Sequence, residues 1–221
     1  TDNFWHAGGK SMTTARKMTL AVLGAGNIGG TLGRKWCAAG HKVAFGVSDP
    51  NGKNAQALRA DLGDTITIGT IDEVLNAKPS VVVMALPGVQ MDALITKHAP
   101  QLDGRVIIDT ANRLDTGPMN SFATLQKHTP HASLFRAFNS LGWENFADPT
   151  FHGIQADLFY CGPDGEARAQ VEQLIADIGL NPVCLGGVEQ VGLVDSVGAI
   201  WFALVFGQGK ERHLAFKVLT R

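Results

Sequence analysis

From Met18 to about residue 142 the chain alternates short apolar, β-branched runs with stretches in which apolar residues recur at helical spacing. That alternation predicts a parallel sheet with crossover helices. Leu20 to Leu23 reads as the first strand, and Asn27 to Ala39 as its helix, closed by Gly40. HKVAFG supplies a second strand, NAQALRADLG a helix, TITIG a short third strand, and TIDEVLNA a helix with Thr70 as its N-cap. SVVVMALP and GRVIIDT are apolar on both faces, as fully buried strands are, and SLFRAFNSLG adds a sixth.

After Gly142 the texture changes. ADLFYCG and NPVCLG flank a helical stretch, EARAQVEQLIADIG, and VEQVGLVDSVGAIWFALVF predicts a long helix apolar almost all round. Such a helix has to be covered, by the rest of the chain or by a second copy. Both readings, burial within one subunit and a homodimer joined through this helix, follow from the pattern. Its most apolar part, Ser196 to Phe206, reads as too short to span a bilayer and better as a buried helix, with Asp195 hydrogen-bonded or closing a cleft. The expected architecture is α/β: a doubly wound parallel sheet over residues 18–142, with a small C-terminal α/β extension over 143–221. Residues 1–17 read as a disordered arm or an expression remnant, with Met18 as a native start.

Composition removes several alternatives. The chain has 221 residues and a formal charge of −1, with Lys and Arg scattered, so it offers no electrostatic footprint for nucleic acid or an anionic membrane. Cys37, Cys161 and Cys184 lie far apart, outside any metal-ligand spacing, and read as reduced thiols of a cytoplasmic protein. His128 and His131 are separated by Pro130, which breaks the helix that would align them. No metal site is expected.

The informative segment is LAVLGAGNIGGTLG, residues 20–33, where a G-x-G-x-x-G pattern follows the first strand and opens the first helix. That is the setting of the dinucleotide-binding turn of the Rossmann fold. Gly24 would permit the tight turn, Gly26 would let a pyrophosphate approach, and Gly29 would let helix and strand pack closely. The diphosphate would sit on the open N–H groups at the start of the helix near Asn27. A structural turn without a ligand is the competing reading.

An acidic residue at the end of the second strand would select NAD. Here the tip reads Gly46, Val47, Ser48, and the first carboxylate, Asp49, opens a D-P-N-G turn whose amides it would cap. Ser48 and Lys53 remain as contacts for the 2′-phosphate of NADP. Ala85 to Pro87, Asp109 to Asn112, and Asn139 all fall at carboxyl ends of strands, where ligands of open α/β sheets bind. Loop capping by Asn112 and Asn139 is the competing reading, and Asp109 reads as structural.

With VVVMALPGVQ, VIIDTANRL, AFNSLGWENF and the GQGKERHLAFK ending, the chain resembles, from Met18 to Arg221, the NADP oxidoreductases that act on the deazaflavin coenzyme F420. It is similar as well to the cytosolic domain of six-transmembrane ferric reductases. The resemblance puts the phosphate turn on Ala25, Gly26, Asn27 and Ile28. It puts the 2′-phosphate contacts on Val47 and Ser48, where the family has Ser-Arg and this chain departs from it. Leu86, Pro87, Gln90 and Asn112 would border the nicotinamide, and Asn139, Ser140, Gly142 and Trp143 the second substrate.

The implied activity is hydride transfer between NADP(H) and a deazaflavin or flavin, which calls for proximity rather than a protein nucleophile. Tyr160 has no lysine four residues on, so a Tyr-Lys proton relay is excluded. The partner would be a small redox molecule. A non-catalytic NADP(H)-binding sensor or scaffold is the alternative.

Overall fold

The computed structural model describes residues 16–114 and 117–221, so the expected arm lies, but for Arg16 and Lys17, outside the described residues. In chain order β1 (Thr19–Leu23), α1 (Asn27–Ala38), β2 (Lys42–Val47), α2 (Lys53–Leu62), β3 (Ile66–Thr70), α3 (Ile71–Asn76), β4 (Val81–Met84), α4 (Met91–Leu102), β5 (Val106–Asp109), α5 (Phe122–His128) and β6 (Ser133–Arg136) alternate. The strands form one sheet in the order β3-β2-β1-β4-β5-β6, every pair parallel. The chain reverses its winding between β1 and β4, and that switch point opens a crevice beyond the strands' carboxyl ends.

Period-two side chains build a core on each face. Leu20, Val22, Phe45, Val81, Val83 and Phe135 pack on one side with Leu32 and Trp36 of α1. Ala21, Leu23, Val82, Met84 and Ile107 pack on the other, against Val74 of α3, Ile95 of α4 and Leu125 of α5. Burial on both sides explains why these strands are apolar throughout. A Cβ on Gly33 would lie 2.2 Å from the Phe45 ring, so the glycine lets α1 approach β2. Overpacking of that kind costs about 1–3 kcal/mol. Thr70 does cap α3: its Oγ1 accepts from Glu73 N at 3.3 Å while its own N–H donates to the Glu73 carboxylate at 2.7 Å.

The extension runs α6 (Trp143–Ala147), the hairpin β7 (Thr150–Phe151) and β8 (Ile154–Gln155), β9 (Asp157–Tyr160), α7 (Glu166–Asp177), β10 (Asn181–Cys184) and α8 (Val191–Phe202). β9 and β10 pair in parallel as a separate two-stranded sheet. The extension packs on the α1 side. Trp36 Nε1 donates to Leu174 O at 2.9 Å, and Trp36, Phe138 and Phe146 meet edge to face at 5.7 and 5.8 Å. The C-terminal segment is tied back over β9, where Lys217 Nζ and Val218 N each donate to the buried Asp157 carboxylate at 2.7 Å.

The long C-terminal helix is present, and the expectation that its apolar part is too short to span a bilayer and is buried is corrected. Short turns at both ends extend α8 into one helical segment, Val188–Gly207, of 20 residues, and only 28% of its apolar window is buried. By length and composition it is apolar enough to cross a membrane. Val194, Asp195, Gly198, Trp201 and Val205 face inward, while Leu193, Ile200 and Phe206 stand 53%, 52% and 63% exposed. The extension is too small to wrap a helix that is apolar on all sides.

Candidate functional site

The glycine turn closes the amino-terminal side of the crevice, and each glycine there has a separate geometric reason. Gly24 has φ +109°, and a Cβ on it would lie 2.3 Å from the Ala85 carbonyl oxygen. On Gly29 a Cβ would lie 2.2 Å from Gly24 O and 3.1 Å from Val22. At Gly26 it would meet nothing within 4 Å. Two glycines are therefore required by the fold, and the third faces open space. Gly26 is the N-cap of α1 and has no side chain to cap the helix. The open amides of the first turn, about Asn27 and Ile28, are the donors that anions seek.

Three adjoining clefts run along this edge. The first, of about 270 Å³, is lined by Gly24, Ala25, Val47, Ser48, Lys53 and Leu86 among others. A second, of about 260 Å³, shares Ser48 and Leu86 and adds Ile71, Gln90, Leu94 and Lys97. The third, of about 190 Å³, shares Ala25 with the first and adds Gly26, Asn27, Arg34 and Trp143. The predicted residues of the turn, the β2 tip and the loop after β4 are thus brought together.

Asp49 lines the first cleft as well, with its Oδ1 accepting from Asn51 N at 2.9 Å and its carbonyl from Gly52 N at 3.0 Å. Lys53 begins α2, whose N-cap is Gly52 and which also lacks a side-chain cap. The Lys53 side chain, the open amides of α2 and an Asp49 carboxylate held through one oxygen by its own turn therefore share this cleft.

The carboxyl ends of β5 and β6 carry a buried polar network. Asp109, fully buried, accepts from Ala111 N at 3.0 Å and from Ser121 N at 2.8 Å. Burial pushes its carboxyl above the ordinary range, against the opposing pull of Arg136 3.3 Å away. Arg136, itself 0% exposed, donates to Asp195 Oδ1 at 2.8 Å, to the carbonyls of Asp109 and Ala111 at 3.2 and 2.5 Å, and to Asn112 Oδ1 at 2.7 Å. Asn112 Nδ2 in turn donates to Asn139 O at 2.8 Å. Asp195 is held as well by Asn120 at 2.7 Å, so the carboxylate inside α8 is hydrogen-bonded, as its place in the sequence requires.

Asn112 and the loop after β4 are in close contact, since a Cβ on Gly88 would lie 2.7 Å from Asn112 O. Asn139 and Ser140 are 3% and 1% exposed, and Asn139 Oδ1 and Ser140 Oγ have no protein partner. Gly142 has no room for a side chain, because a Cβ there would lie 2.9 Å from the Trp201 ring. Trp143 lines the third cleft together with Ala25, Gly26 and Asn27 of the turn. Pro87 caps the short turn Gly88–Gln90.

Arg136 and Asn120 were not singled out in the sequence. The available signal was a charge at the end of an otherwise apolar strand, which has to find buried partners. Among the described residues no group of three His, Cys, Asp or Glu is placed to hold a metal, and all three cysteines are free.

Comparison with known proteins agrees with this fold. Residues 19–113 match the family model described as NADP oxidoreductase, coenzyme F420-dependent. Human metalloreductase STEAP2 is 23% identical over 207 residues, which is 92% of this chain and 40% of that protein. The chain therefore spans well under half the length of that relative. A putative F420-dependent NADP-reductase from Arthrobacter sp. FB24 superposes with a TM-score of 0.77 at 22% identity, covering 92% of this chain and all of the other. A reductive aminase from Aspergillus terreus, in complex with NADPH and ethyl-5-oxohexanoate, gives 0.59 at 17% identity over 88% of this chain and 62% of its own. The resemblance read from the sequence motifs is borne out, and the fold is the Rossmann-like α/β fold of these enzymes.

Proposed function

We propose that this chain, whose residues 19–113 match the F420-dependent NADP oxidoreductases, binds NADP(H) at the glycine turn and passes hydride between it and a deazaflavin or flavin acceptor. The observation that carries the reading is Gly26: it faces open space at an uncapped helix start, between two glycines that the fold itself demands. When bound, the dinucleotide supplies a hydride from nicotinamide C4 to the acceptor, which takes up one proton as well.

The chain's own part is to hold and orient. The α1 amides would take the diphosphate, Ser48 and Lys53 the 2′-phosphate, and Leu86, Gln90 and Asn112 the path toward the nicotinamide. Asn112 and Asn139 have no proton to give, and the Tyr160 hydroxyl is spent on Glu172. Positioning in the crevice is therefore the contribution these residues can make. A hollow of about 450 Å³ between the loop after β5 and α8, lined by Leu114, Met119, Phe202 and Phe206 together with Arg113, supports a flat ring as acceptor. It adjoins Asn139, since a Cβ on Gly198 would lie 3.3 Å from Asn139 O and 3.6 Å from Met119.

The test is NADPH consumption by the purified protein with coenzyme F420, FMN or FAD in excess. Saturable turnover with one of them is expected. NADPH binding without turnover by any of the three would replace the enzyme reading with a sensor or scaffold.

A further inference from the structure

We infer that Arg136 is a positioning residue: it locks the loop carrying Asn112, the loop carrying Asn139 and helix α8 into one unit, and so sets the nicotinamide end of the site while leaving the adenosine end alone. The inference rests on the NADP(H) reading above.

A guanidinium with no exposure is costly to bury, and a leucine or methionine would fill the same space without that cost. What the arginine adds is its set of fixed donors. The partners of its guanidinium lie at or just beyond the carboxyl end of β5, or on α8: the Asp109 carboxylate at 3.3 Å, the Asp109 and Ala111 carbonyls, Asn112 Oδ1 and Asp195 Oδ1. The bonds also decide which way Asn112 faces. With its oxygen toward Arg136 and its nitrogen toward Asn139 O, both ends of the amide are satisfied. The flipped amide would set N–H against N–H at one end and oxygen against oxygen at the other.

Asn139 is drawn in from its side chain too, with Nδ2 donating to Asp195 Oδ1 at 3.4 Å. The unpartnered Asn139 Oδ1 and Ser140 Oγ leave buried polar capacity beside this network. Ser48, Lys53 and the glycine turn share no hydrogen bond with Arg136. Loosening Arg136 should therefore disturb one end of a dinucleotide and not the other.

The experiment compares the affinity for NADPH with that for adenosine 2′,5′-bisphosphate, which carries the adenosine end and no nicotinamide, in wild type, Arg136→Lys, Asn112→Ala and the double variant. In Arg136→Lys the affinity for NADPH is expected to fall about tenfold while that for the bisphosphate stays within about twofold. Adding Arg136→Lys to Asn112→Ala should then weaken NADPH little further, because the two act as one unit. If Arg136→Lys does not fold, Asp195→Asn, which keeps the guanidinium and its bonds to the β5 loop, carries the same comparison. A parallel fall for both ligands, or an unchanged ratio in a folded variant, overturns the inference while the NADP(H) reading stands. Wild type that binds neither ligand overturns that reading, and this inference with it.

Discussion

Ser48 stands one residue beyond β2, where the 2′-position of the adenosine ribose would lie, and an arginine there would offer a charge-assisted fork that serine cannot. Lys53 supplies one positive charge from the start of α2, and Asp49 is occupied with its own turn. The contact missing from this chain has a magnitude. A hydrogen bond to a charged group contributes about 1.5–3 kcal/mol, or roughly ten- to a hundredfold in affinity. Ser48→Arg is therefore expected to raise the preference for NADPH over NADH by that factor in parallel fluorescence titrations. An unchanged ratio would show that the tip does not meet the phosphate. Glycine roles could be read from residues alone because a turn into a helix leaves few geometries. Arg136 could not, because nothing in the run SLFRAFNSLG says which distant carboxylate answers its charge; Asp195 lies 59 positions on.

Most elements could be read for a similar reason. Strands buried on both faces must be apolar throughout, and TIDEVLNA carries its own capping box. Helix α4 was hidden by Pro100, which the helix accommodates in its last turn. Only the inward face of α8 is held by the domain, because covering depends on tertiary packing that hydropathy does not report. Asp195 sits on that face, tied to Arg136, so the helix cannot leave the domain without exposing or stranding two charges. We propose that a second copy covers the outer face, across Leu193 and Ile200. Light scattering at micromolar concentration should then give a dimer for wild type and a monomer for Ile200→Asp. A wild-type monomer would refute the pairing.

At the scale of the whole molecule, the sheet builds its crevice from backbone before any ligand is considered. Both cores close, the extension docks through Trp36, and the switch point between β1 and β4 opens where the crossover reverses. Fold and function should therefore separate at one atom's position. A methyl group on Gly24 or Gly29 meets protein within 2.3 Å, whereas on Gly26 it meets none. The decisive measurement is calorimetric titration of NADPH into wild type and Gly26→Ala, with the melting temperature of each. The account predicts melting temperatures within about 4 °C of each other, the scale of an N-cap change in a chain of this length, and a loss of NADPH affinity of at least about tenfold in the variant, as the methyl group intrudes on the diphosphate. Equal affinity in the two proteins, or no binding by wild type, would contradict it.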